Sequence, residues 1–469
     1  MKPRSLATAV ALLAGCAVGP DYERPQLDSP ATFASADGAV YGAAEPVLAW
    51  WQTLDDPLLH GWLETALLQN HDIRIAETNL RAARAVLGSR RLARYPIATS
   101  QLSALEQDAS AAASLAPDQR FYDASLDVSW ELDFFGRVRR SVQAAAADAN
   151  AATEALRDTY VLVAAELART YFELKGTRYR LSVAQRNADN QRQTFELTQA
   201  LLEGGRGTDL DIARARAQLE STLASIPPLE RAINGNSHRL AVLVGELPET
   251  FARALPADAG LPPLPQVLDI GDPEGLLRRR ADVRFAEYAL QAETARVGVA
   301  MGDLFPRVSL LGSVGWVATS ASDLGESDTR TTSFGPFLSW AAFDLGRVRA
   351  NIRVANADMD GALLRYEQTV LIALEETENA LFGFTSARAR QARLEVAAGA
   401  SEQAAELARL RYRDGADSFL TVLDAERRLL EAQDQLAQSA TETGLAFVLV
   451  YKALGGGWQA VDERLQALE

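Results

Sequence analysis

The chain has 469 residues, 48% of them hydrophobic and 23% charged, a balance that excludes a disordered chain and an ordinary helical membrane protein. Its 47 Lys+Arg against 62 Asp+Glu leave a formal net charge of −15, which argues against nucleic acid as a partner, since that needs a basic face. One Cys excludes intrachain disulfides and Cys-based zinc sites, three His leave little room for a histidine metal centre, and no resident cofactor or metal is expected.

The chain opens Met1-Lys2-Pro3-Arg4, runs apolar from Leu6 to Leu13 and reaches Leu13-Ala14-Gly15-Cys16. A basic start, a short apolar core and small residues before a cut site describe a secretory signal over 1–15, not a spanning helix, which needs roughly 18 apolar residues. The last four residues resemble the bacterial lipobox. The single Cys then becomes the lipid-bearing first residue of an anchored segment, 16–56, and the acyl chains on Cys16 are the one covalent addition expected. Ala17 rather than Asp follows the Cys, and the resemblance therefore implies export to the outer membrane.

Beyond this segment the chain is duplicated. Asp72-Ile73-Arg74-Ile75-Ala76-Glu77 returns as Asp282-Val283-Arg284-Phe285-Ala286-Glu287, an offset of 282 − 72 = 210 residues. The same offset relates Tyr95-Pro96 to Phe305-Pro306, Trp130 to Trp340, Gly136-Arg137-Val138-Arg139 to Gly346-Arg347-Val348-Arg349, and Gly205 to Gly415. One ungapped register over such a length makes two copies of one unit, 57–245 and 273–454. Between them, residues 246–272 hold Pro248, Pro256, Pro262, Pro263 and Pro265, a linker signature. Residues 455–469 form a short tail after the Gly455-Gly456-Gly457 breaker.

Each copy reads as helix, two strands, long helix and returning helix. The first helix is expected from about Pro57 to Arg94 and its counterpart from Pro273 to Leu304, each stopped by the proline two residues on. Strands are expected at about 97–108 and 121–135, and again at 306–319 and 332–344. In the second of these, Ala124, Leu126, Val128, Trp130 and Leu132 share one face, against Asp123, Ser125, Asp127, Ser129, Glu131 and Asp133 on the other. A soluble sandwich gives the same alternation. Four strands are too few to close a barrel or a sandwich alone, however, and so acidic a face suits a water-filled lumen with the apolar face toward lipid.

The long helices start at the repeated Gly-Arg-Val-Arg. The stripe Val142, Ala145, Ala149, Ala152, Leu156, Tyr160, Val163, Leu167, Thr170, Leu174 advances in steps of 3 and 4, as a coiled-coil seam requires. From Gly136 to Glu203 such a helix would be about 100 Å long at ~1.5 Å per residue. The Gly-Arg-Val-Arg arginines either meet lipid head groups by snorkelling or are ordinary surface charges. Ser418 is the expected cap of the second returning helix.

The lipobox followed by Pro20-Asp21-Tyr22-Glu23-Arg24-Pro25, then Trp50-Trp51-Gln52-Thr53-Leu54-Asp55-Asp56-Pro57, and Tyr412-Arg413-Asp414-Gly415-Ala416-Asp417-Ser418-Phe419-Leu420 resemble the outer-membrane efflux lipoproteins of the OprM and NodT type, in the TolC-like superfamily. The resemblance implies a mixed α+β membrane protein. In it, four strands per chain join a trimeric, twelve-stranded transmembrane β-barrel, above a long antiparallel coiled-coil barrel of helices in the periplasm. It implies a homotrimer in the Gram-negative outer membrane, in contact with its lipid and working with a periplasmic adaptor and an inner-membrane transporter of the RND type. The function implied is the passive exit duct of a tripartite pump, with no chemistry of its own.

The family closes its periplasmic mouth near the helix turns. Carried over by residue, the aperture candidates are Asp211 at the first turn and Tyr412, Asp417 and Asp424 at the second, with solvated turn and cap residues as the alternative reading. The acidic face of Asp123, Asp127, Glu131 and Asp133 would line the barrel lumen. A periplasmic adaptor lipoprotein is the rival function, but adaptors carry one helical hairpin among compact β domains, not two hairpins in tandem. His60, His71 and His238 are scattered and make no catalytic arrangement.

Overall fold

A computed structural model describes residues 17–26, 30–47, 49–107, 119–249, 251 and 260–458. The signal segment, Cys16, Pro256 and the end of the tail lie outside these residues. Two compact units emerge: a sheet unit of residues 17–26, Thr78–Thr153 and Phe285–Gln368, and a helical unit of residues 30–77, Glu154–Arg284 and Thr369 onward. Among the described residues no helix is long and apolar enough to cross a membrane.

The sheet unit holds four strands, β2 Ile97–Gln107, β3 Gln119–Leu132, β5 Arg307–Ala318 and β6 Arg330–Ser339, antiparallel in the order β2-β3-β5-β6. Its registers bring the alternation of all four strands onto common faces. Leu102 pairs Ala124, which pairs Trp316; Leu126 pairs Val314; Trp130 pairs Leu310, and Val308 pairs Leu338. The opposite face gathers Thr99, Asp127 and Ser313 in one row and Ser103, Asp123 and Val317 in another. Trp130 Nε1 donates to Arg94 O (2.9 Å) and Trp340 Nε1 to Leu304 O (3.0 Å), so each copy fastens its strand end to its preceding helix in the same way.

Two strands, β3 and β6, stop three and five residues before their expected ends at 135 and 344. β3 stops at Leu132 because Asp133 leaves the ladder and accepts from the N–H groups of Val138 (2.9 Å) and Arg139 (2.8 Å), capping the next helix. Gly136, at φ 81°, makes the turn, and Ala17 lies so close that a Cβ there would meet it at 2.6 Å. β6 ends at Ser339, leaving Trp340 beyond the strand.

The helices are α1 Pro57–Gln69, α2 His71–Leu92, α3 Arg137–Glu203, α4 Asp209–Ala224, α5 Ile226–Val244, α6 Pro273–Arg279, α7 Ala281–Gly302, α8 Leu345–Arg413 and α9 Phe419–Ala453. A two-residue parallel pair, β1 Tyr41–Gly42 with β4 Leu268–Asp269, completes the helical unit. The expected single helices from Pro57 and from Pro273 are each broken in two. Asn70, with ψ 133°, ends α1, and its Oδ1 accepts from Asp72 N (2.8 Å) and Ile73 N (3.3 Å) to start α2. Arg280, with ψ 124°, likewise ends α6, but its guanidinium only donates; in the first turn of α7 it is Asp282 Oδ1 that accepts, from Val283 N (3.0 Å). The first returning helix is also divided, at Ser225, where Pro227 and Pro228 follow.

The predicted stripe on α3 is buried throughout except at Ala152, which is half-buried. The tryptophan pair anchors the helical core: Trp50 stacks on Tyr451 with ring centroids 5.4 Å apart and meets Phe447 edge-on. Asp56 caps α1 through Leu58 N and Leu59 N and accepts from the Tyr171 hydroxyl at 2.5 Å.

Candidate functional site

Two surfaces carry the charged residues that the pattern singled out. The first is the polar face of the sheet. Asp123, Asp127 and Glu131 alternate along β3 on that face, and the Ser125 hydroxyl donates to Asp127 at 2.9 Å. Asp133 is not a fourth member of the row: it lies past the strand end, caps α3 and pairs with Arg139 at 3.3 Å. Glu131 is engaged by Arg137 through two bonds, of 3.0 and 2.5 Å. The first-copy Gly-Arg-Val-Arg arginines thus hold carboxylates at the strand-to-helix turn, and in the second copy Arg347 holds Asp344 at 2.6 Å. Arg347, at 71% exposure, is the ordinary surface charge that one of the two expectations described.

The second surface is the pair of helix turns, Gly204–Thr208 and Asp414–Ser418. Gly205 and Gly415 have φ of 72° and 76°. The same six-residue bond closes each turn, Arg206 N to Leu201 O and Ala416 N to Arg411 O, both 2.8 Å. Asp211 starts α4 in a reciprocal cap, accepting from the Thr208 hydroxyl (2.6 Å) while its own N–H donates back to that oxygen (3.2 Å). Tyr412 is 8% exposed and sits in an apolar cluster with Ala215, Ala408, Phe419 and Val422. Burial, and then the Asp211 carboxylate, pushes its phenol up, against a hydrogen bond with Thr198. Tyr412 shares its cluster with Ala215 of α4, one helical turn from Asp211.

Asp417 and Asp424 are each engaged within their own hairpin. Asp417 accepts from Thr421 Oγ1 and Ser418 N, both 2.8 Å, and pairs with Arg411 at 3.3 Å. The Thr421 hydroxyl, then the Ser418 N–H, holds it below the usual carboxylate range. Ser418 holds the N-cap position of α9 as expected, but its hydroxyl makes no cap bond, and Thr421 N donates to its carbonyl oxygen instead (3.1 Å). Asp424 pairs with Arg428 (2.9 Å) and Arg427 (3.3 Å).

Sequence reasoning missed a third group. Glu426 is 3% exposed, and its Oε1 accepts from Thr194 Oγ1 (2.6 Å) and Arg409 Nε (2.8 Å), joining α3, α8 and α9 one turn above the tip cluster. The signal was present in the spacing: Phe419, Val422, Glu426 and Leu429 advance by 3, 4 and 3, so a carboxylate occupies a core position.

Comparison with known proteins now bears on these surfaces. A family model described as "Outer membrane efflux protein" matches the chain twice, over residues 62–246 and 273–456. Outer membrane protein OprJ of Pseudomonas aeruginosa is 32% identical over 452 residues, covering 95% of this chain and 94% of that one. Nodulation protein T of Rhizobium leguminosarum bv. trifolii is 30% identical over 458 residues, 96% of each chain. Among solved structures, the outer-membrane channel OprN is 42% identical, with a TM-score of 0.87 over 95% of this chain and all of that one. One match to each copy, and relatives along nearly the whole length, make this chain a member of the outer membrane efflux protein family.

Proposed function

We propose that three copies of this chain close into a passive exit duct in the outer membrane of a Gram-negative cell, the last stage of a tripartite efflux pump. The observation that carries the reading is the open, two-faced sheet. Among the described residues its strands β2 and β6 have one neighbour each, and an edge of unpaired backbone groups must be covered in lipid. A ring of three such sheets gives twelve strands and no edge. From Leu132 to Tyr122 the apolar face of β3 advances ten steps, about 33 Å at ~3.3 Å each. Tilted by roughly 40°, that covers about 25 Å, the height of an outer-membrane apolar band. Trp130 lies toward one end of the band and Tyr122 and Trp316 at the other, the places where interfacial aromatics gather.

A second copy is also what the long helix asks for. On α8, Leu364, Leu371, Phe382, Val396 and Leu407 are 60–72% exposed and recur at steps of 7, 11, 14 and 11, a coiled-coil seam that the described residues of the single chain leave uncovered. The ungapped offset of 210 residues supports equivalent roles for the two hairpins in the tube. The periplasmic adaptor and the RND-type transporter are the partners this reading requires. A lipid on Cys16 would add membrane affinity at roughly 0.8 kcal/mol per buried CH₂. The chain does no chemistry in this scheme; cargo passes down the gradient that the transporter makes. The adaptor reading is set aside, since the family match falls on both hairpins.

The test is extraction of the full chain in detergent. A trimer that migrates intact on unheated gels and as a monomer after boiling supports the duct. A monomer that stays in solution without detergent once the lipid is removed overturns it.

A further inference from the structure

Equivalent joints in the two copies are tied by chemically different donors. At the first helix break, Asn70 Nδ2 donates to Leu243 O, near the end of α5, at 2.9 Å. At the second, Arg280 donates to Ala453 O, the last residue of α9, at 2.9 Å, while Arg279 donates to Leu454 O at 2.8 Å. A neutral amide makes one tie and a guanidinium the other.

The Arg280 side chain is 8% exposed, and its remaining N–H groups go to Asp282 (3.0 and 2.7 Å) and Glu376 (2.7 Å). Beside it is a cavity of about 130 Å³ bounded by Asp158, Arg280, Asp282, Glu376, Lys452 and Gly455. The charged groups that line it come from every packed element, Asp158 from α3, Arg280 from the break, Asp282 from α7, Glu376 from α8 and Lys452 from α9, while Arg279 of the same joint is paired with Glu45 at 2.7 Å. Three carboxylates face two cations, so the cluster is balanced only when one carboxyl is protonated. Asp158 is the group pushed up, to about 6, by burial first and then by the Asp282 charge, with Arg280 and Lys452 opposing.

We infer that the Arg280 joint is a proton-dependent lock on the end of α9, fastened while Asp158 holds a proton and loosened when that proton leaves. Opening the joint returns Asp158 to water and to its ordinary carboxylate range. Deprotonation therefore favours the open joint, and the tie weakens as pH rises through about 6. The Asn70 tie has no titrating donor and stays as it is. The two copies, alike in fold, would then respond differently to periplasmic pH. The inference does not depend on whether the chain conducts.

Hydrogen exchange on the full detergent-extracted chain, corrected for the intrinsic pH dependence of exchange, tests this. Between pH 5 and 7.5, protection of the segments 279–283 and 450–456 should fall about tenfold, the change expected for a carboxyl moved from its ordinary value to about 6. Segment 240–246, at the Asn70 joint, should hold its protection. Asp158→Asn should abolish the fall, and Asp158→Ser should do the same should the amide disturb folding. Protection that does not change with pH in the wild-type chain, a fall at both joints alike, or an undiminished fall in the variants would each overturn the lock.

Discussion

Glu426 shows most clearly what a single residue does here. It stands where helical spacing reserves an apolar side chain, and it is kept there by Arg409 and Thr194. Glu426→Ala would leave the Arg409 guanidinium facing a vacant, largely dry position, and breaking such a buried pair costs about 3 kcal/mol. The expected outcome is a lower thermal midpoint together with loss of exchange protection confined to the tip hairpins; an unchanged midpoint would show that the group carries no stability. Asp211 and Tyr412 make a second residue-scale prediction. If they help hold the mouth closed, Asp211→Asn with Tyr412→Phe should raise single-channel conductance, and unchanged conductance removes that role. Tyr412→Phe alone keeps the ring in its cluster with Phe419, whose centroid is 5.5 Å away, so any effect reports on the hydroxyl rather than on packing.

At the scale of elements, what was legible follows from what the chain writes locally. The four strands were readable because side-chain period and face are the same thing in a strand, and the registers then joined faces assigned strand by strand. The long helices and their turns were readable because an unbroken seam ended at glycines with positive φ. The breaks at Asn70 and Arg280 were not, since neither residue is a breaker by type. Each break exists because a side chain caps a neighbouring element, Leu243 being 173 residues from Asn70. The departure of Asp133 from β3 was hidden likewise: its period-2 position suits the strand, but the N–H groups at the start of α3 compete for its carboxylate and win. The polar face carries its own prediction. With Asp123, Asp127 and Glu131 along it, a pore lined by that face prefers cations, as carboxylate rings do in channels. Replacing the three by Asn, Asn and Gln should move the reversal potential in a salt gradient toward zero; an undiminished cation preference would place these residues away from the ion path.

For the whole molecule, duplication and the proposed self-association answer one problem. A copy of the repeat supplies two strands and a pair of long helices, which cannot enclose anything. Two copies in one chain make a four-stranded sheet whose outer strands, among the described residues, still lack neighbours, and a helix seam that those residues leave bare. The proposed closure by three chains would satisfy both at once, and would account for how a chain with no helix apolar enough to span among its described residues can belong to the outer membrane efflux protein family. The acidic excess that excluded nucleic acid falls partly on the face that such a ring would turn inward. The most direct measurement is therefore the current through a planar bilayer after adding the purified, detergent-extracted protein. The duct account predicts discrete, long-lived conductance steps with a cation-selective reversal potential. Protein that binds the bilayer yet gives no steps, or gives anion-selective ones, would contradict it.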